Sequence, residues 1–89
     1  MSTEPTVNLT FENGVIYLHN GSDETIERVR VNYFFENREK AGMSDSVFQI
    51  LPDDTVLLSP PARYKKRDLT VEVEYRRRLT LLVEKETNV

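Results

Sequence analysis

The residues best suited to chemistry in this 89-residue chain are its cations, and they fall in two groups: Arg63, Lys65, Lys66 and Arg67, then Arg76, Arg77 and Arg78. Arginine presents a planar, permanently charged fork that matches a carboxylate or a phosphate. Tyr64 and Tyr75 lie beside the groups and offer faces on which a base could stack. From Arg63 to Arg78 seven cations meet three acids (Asp68, Glu72 and Glu74), a local charge of plus 4, while the rest of the chain sums to minus 7. The whole carries minus 3, which argues against a general polyanion binder. These seven residues are the candidate partner-binding set, for an acidic protein partner first and for nucleic acid second.

Other reactive residue types lack a constellation. His19 is the single histidine, and it reads as a strand-end residue beside a turn, with no nucleophile singled out near it. Asp53-Asp54, Asp23-Glu24 and the pair Glu72 and Glu74 are neighbours in turns or on one strand face. Acid chemistry instead needs two carboxyls in unlike environments across a cleft. Asp45, Asp53 and Asp54 are oxygen donors of the kind calcium takes, without the spacing of an EF-hand. No G-x-S-x-G, Walker or H-E-x-x-H motif is present. No catalytic residue, metal ligand or cofactor is therefore expected. Asn8-Leu9-Thr10 and Asn20-Gly21-Ser22 match the glycosylation acceptor pattern, but Asn20 is better explained by a turn.

The elements that must carry the cations are strands. From Leu69 to Val83 every odd residue except Arg77 is apolar. Fifteen residues exceed an ordinary strand of about 5 to 6, so the run is expected to reverse at Arg76, Arg77 and Arg78. A three-residue loop sets Tyr75 opposite Leu79, Val73 opposite Leu81 and Val71 opposite Val83, giving one wholly apolar face. Thr70, Glu72, Glu74, Thr80, Leu82 and Glu84 then face water. The eight residues from Asp68 to Tyr75 span about 26 Å as a strand, which would set the two basic groups at opposite ends of the fold.

Upstream, Val7, Leu9 and Phe11 alternate with polar residues and run into Asn13-Gly14, a strong hairpin signal, with Val15 to His19 returning. Val29, Val31, Tyr33 and Phe35 mark a central strand; a short helix from Ser22 is the rival reading. Asn37 to Ser46 reads as a loop, and Val47 to Leu51 as a strand. Pro52 to Thr55 has the composition of a tight turn, and Val56 to Leu58 is a short strand before Pro60-Pro61, which belong at or outside a sheet edge.

Seven short strands with regular turn signals predict an all-β, antiparallel β-sandwich over residues 7–86, with 1–6 a flexible N-terminus and 87–89 frayed. Cysteine is absent, so no disulfide supports the core. Glutamine occurs once and 30% of residues are charged, a composition that overlaps with thermophile proteins. No apolar run is long enough to span a membrane, and Met1 to Pro5 lacks the parts of a signal peptide. The chain as given reads as cytoplasmic, or as extracellular if it is an excised domain.

The stretch Leu18 to Val31, LHNGSDETIERVRV, resembles the beginning of immunoglobulin-like domains of the CARDB and FxLYD kind: an apolar residue, Asn, a small polar residue, polar positions, and V-x-V in the next strand. Ile50-Leu51-Pro52-Asp53-Asp54-Thr55-Val56 looks like their strand, Pro-Gly turn and strand, with Asp-Asp where glycine is usual. Over these roughly forty residues the resemblance implies an immunoglobulin-like sandwich used for adhesion or scaffolding, usually without catalysis. The functional expectation is a noncatalytic protein-interaction module. It would meet an acidic partner through the arginine tip, or pair an exposed edge strand with another chain, a homodimer included. Phe34 and Leu82, outward by parity, are the expected apolar contacts. The alternative is a nucleic-acid-binding accessory domain, and an enzyme is the third class.

Overall fold

The structure is a computed structural model that describes residues 7–12, 15–35, 38–59 and 69–88. Seven strands follow in order: β1 (Val7–Glu12), β2 (Val15–Asn20), β3 (Ile26–Phe35), β4 (Asp45–Ile50), β5 (Thr55–Leu58), β6 (Leu69–Arg77) and β7 (Thr80–Asn88). Among the described residues there is no helix, so the rival helix from Ser22 does not form and no helix is available to cross a membrane. All ladders are antiparallel. One sheet has the order β1-β2-β5 and the other β4-β3-β6-β7, and the two pack as an all-β sandwich.

Alternation explains most of the core. Val7, Ile16, Leu18 and Leu58 from the three-stranded sheet meet Ile26, Val29, Val31, Tyr33, Phe35, Ile50, Leu69, Val71, Val73 and Tyr75 from the four-stranded sheet, all buried. β3 breaks the count once. Ile26 and Val29 both point inward, which requires an extra residue between them. A bulge at Glu27 and Arg28 supplies it, with Arg28 at φ 52 and the register against β6 shifting there.

The hairpin of β6 and β7 reverses at the arginines, as expected, but not through three residues. Arg77 pairs with Thr80, leaving Arg78 and Leu79 as a two-residue turn, with Arg78 in the left-handed region at φ 60. One residue fewer in the loop inverts the parity of the whole following strand. Tyr75 therefore lies opposite Leu82, not Leu79, and Val73 opposite Glu84, not Leu81. The wholly apolar face is not formed. Leu79, Leu81 and Val83 stand outward, 96%, 58% and 51% exposed, and Leu82 packs against the core. A physical reason lies at Tyr75, whose buried ring needs an acceptor for its hydroxyl. In the observed register that hydroxyl donates to Glu84 Oε1 at 2.6 Å. β7 continues to Asn88, paired with Leu69, past residue 86 where the domain was expected to end.

Candidate functional site

The loop end of the sandwich is organised by Asn20, which has no exposed surface. Its Nδ2 donates to the carbonyls of Glu24 (2.8 Å), Ile50 (2.9 Å) and Leu51 (3.2 Å), and its Oδ1 accepts from Ser22 N (3.0 Å) and Ser22 Oγ (2.7 Å). The Asn20 main chain also donates to Asp54 O and accepts from Asp53 N. One amide thus fastens together the crossing from β2 to β3 and the turn from β4 to β5. With its nitrogen committed in this way, Asn20 is not accessible to a glycan in the folded protein.

The tip of the β6–β7 hairpin reaches this same end. Glu24, positioned by the Asn20 turn, accepts Arg77 Nε at 3.3 Å on one carboxylate oxygen and Arg78 Nε at 2.9 Å on the other. Asp23, Asp53 and Asp54 occupy the loops that Asn20 joins, so acidic loops lie beside the basic tip. Exposed pairs of this kind add little stability, but they offset the charge that made the tip a candidate. Arg76 points outward from β6 opposite Glu27 and Leu81, with no ion-pair partner among the described residues. The three arginines are therefore brought to one place yet not presented as a free cluster. Arg63, Lys65, Lys66 and Arg67 lie outside the described residues.

His19 sits between a hydroxyl and a carboxylate: Nδ1 is 2.8 Å from Thr55 Oγ1 and Nε2 is 3.2 Å from Asp53 Oδ1. Those partners superficially suit proton transfer. Asp53 and Thr55 are exposed, however, and neither cleft described below includes any of the three residues. Water screens a pair exposed in this way. Asp53 itself follows Pro52 at φ 63, adopting the backbone conformation a glycine would take at that turn position. The length of β4 separates Asp53 and Asp54 from Asp45, so the three carboxylates do not converge. Asp45 is engaged at the far end, accepting from the Tyr33 hydroxyl and from Ser59 N at 3.0 Å.

Among the described residues, two of the depressions lie on the outer face of the four-stranded sheet. One of about 280 Å³ is lined by Phe34, Phe35, Arg38, Thr70, Glu72 and Lys85, with Lys85 Nζ 3.3 Å from Glu72 Oε2. It falls just below the usual range of about 300 to 1,000 Å³ for a small-molecule site. Phe34 is half-buried in its wall and so supplies less contact surface than its outward parity suggested. The other, about 380 Å³, gathers Arg28, Arg30, Ser46 and Phe48 at the bulge, where Phe48 is 81% exposed.

One exposed apolar surface is the one that parity misassigned. β7 is an edge strand among the described residues, and Leu81 and Val83 line its outer side next to the arginine tip, with Leu79 exposed in the turn itself. Alternation of apolar residues along the strand was the visible signal, and the length of the turn decides which face they occupy. Comparisons with protein-family models, with curated proteins and with solved structures returned no match.

Proposed function

We propose that this chain is a noncatalytic protein-contact module, an immunoglobulin-like sandwich that joins another polypeptide along the β7 edge. The fold assignment is supported by strand order. Constant-type immunoglobulin domains place the first, second, fifth and fourth strands in one sheet and the third, sixth and seventh in the other. The order here differs only in β4, which pairs with β3. The observation that carries the functional reading is the exposure of Leu81 and Val83, with Leu79 in the adjoining turn, along a strand that among the described residues pairs with β6 alone. An unpaired edge with an apolar face is a template for an added strand. Arg76 adds a cation beside it, suited to an acidic residue on the partner. The nucleic-acid reading is less well supported, because Arg77 and Arg78 already hold Glu24.

The test compares the wild-type chain with the double variant Leu81→Lys, Val83→Lys, both as immobilised bait for a lysate of the source cells and in titrations with labelled single- and double-stranded oligonucleotides. Because both positions are exposed, the variant should unfold within about 0.5 kcal/mol of wild type. Its captured partners should fall at least tenfold, with weak dependence on salt. If the variant captures the same proteins as wild type, or if oligonucleotides bind with the steep salt dependence of phosphate neutralisation, the reading fails.

A further inference from the structure

Edge strands are usually protected by proline, by bulges, by short length or by charge facing outward. β7 has few of these devices. It is nine residues long, contains no proline, and its ladder with β6 runs from Thr80 to Asn88 without a shift in register. The opposite edge differs. β4 has six residues, and its pairing with β3 skips Arg28 and Phe48 at the bulge. Arg77 and Thr80 flank a two-residue turn and so form the first bonded pair of the hairpin. Alternation along the ladder then directs the main-chain groups of Thr80, Leu82 and Glu84 toward β6, and those of Leu81, Val83 and Lys85 away from it. Main-chain groups directed away from β6 and exposed aliphatic side chains thus coincide at Leu81 and Val83.

What strand would complement this edge? Apolar residues must meet Leu81 and Val83, and like charge must not meet Glu84 or Lys85. β7 itself meets both conditions in one antiparallel register. With Leu82 opposite Leu82 of a second copy, Leu81 faces Val83, Val83 faces Leu81 and Thr80 faces Glu84, while Lys85, whose charge is already held by Glu72, falls beside the turn of its copy. Centring the pair on Val83 would set Leu81 against Lys85, and centring it on Leu81 would carry Val83 to the Arg78–Leu79 turn of its copy. Moving farther toward the C-terminus would set Glu84 or Lys85 against its own copy, which repels. We infer that β7 pairs antiparallel with β7 of a second copy about a two-fold axis at Leu82, joining two four-stranded sheets into a continuous one. The contact is isologous and therefore closes at two copies, unlike a β4-to-β7 contact, which would propagate. The inference rests on the reading of β7 as the contact edge and names its partner as this same chain.

Sedimentation of the full chain from low to high micromolar concentration should show a dimer that dissociates on dilution, and Leu81→Lys, Val83→Lys should remain monomeric. The chain has no cysteine, so a single introduced one reports register without ambiguity. Facing residues in such a pair have Cα atoms about 4.5 to 5.5 Å apart, within disulfide reach. Leu82→Cys should therefore cross-link at least tenfold faster than Thr80→Cys, whose copies lie roughly 14 Å apart by strand rise. Equal cross-linking at the two positions overturns the register, and growth beyond two copies overturns the closed pair. A wild-type chain that stays monomeric overturns the inference entirely. Partner capture that still depends on Leu81 and Val83 would, in that case, leave the contact reading standing.

Discussion

Replacing Asn20 with alanine should remove about 3 kcal/mol of stability, because the carbonyls of Ile50, Leu51 and Glu24 and the amide of Ser22 lose a partner together. In a domain of this length the melting temperature should fall by roughly 12 to 24 °C. Thermal and urea unfolding would measure it, and an unchanged midpoint would refute the role given to this amide. The isosteric Asn20→Asp variant separates hydrogen bonding from shape. A carboxylate there would face three carbonyl oxygens without solvent, so burial and repulsion should hold its pKa above the unfolded value of about 3.9. A group raised in this way stabilises fully below the unfolded pKa, and its contribution is lost as pH rises through the folded one. Asn20→Asp should thus be most nearly native-like near pH 3 and weaker than Asn20→Ala at pH 7.

The contrast between Asn20 and the arginine tip shows what was legible in the residues. Asn20-Gly21-Ser22 announces a turn, since the side chain and Ser22 are near in sequence and bond each other. Its reach to Ile50 and Leu51, thirty residues onward, depends on both crossings meeting at one end of the sandwich, which no local pattern encodes. Likewise the capture of Arg77 and Arg78 by Glu24 joins positions more than fifty residues apart. Strand identity was legible throughout, because Val7, Leu9 and Phe11, or Leu69 to Tyr75, fix a period of two. Parity across a turn was not. Arginine gives no sign that it will accept φ 60, and one residue of loop length moved Leu81 and Val83 from the expected core face to the surface. At Glu27 and Arg28 a signal did exist: two consecutive polar residues between Ile26 and Val29 mark the inserted position of a bulge.

Alkaline titration should expose a second dependence, at the end of the sandwich far from Asn20. The Tyr33 ring is buried and its hydroxyl donates to Asp45, which also accepts Ser59 N. Burial first, then the hydrogen bond to Asp45 and the charge of that carboxylate, push the phenol far above the ordinary tyrosine value of about 10. Unfolding releases it to ionise normally. The neutral phenol therefore stabilises the fold fully below pH 10, and this contribution declines above it at up to about 1.4 kcal/mol per pH unit. Wild-type stability should fall steeply between pH 10 and 12, with part of the phenolate absorbance appearing only as the chain unfolds. Tyr33→Phe should cost about 1 kcal/mol at pH 7 through the lost hydrogen bond, yet decline less steeply in alkali, so that the two stability curves approach or cross. Parallel curves would mean that Tyr33 ionises freely in the folded protein, and the link that Asp45 makes between β3, β4 and Ser59 would then have to be weaker than its geometry indicates.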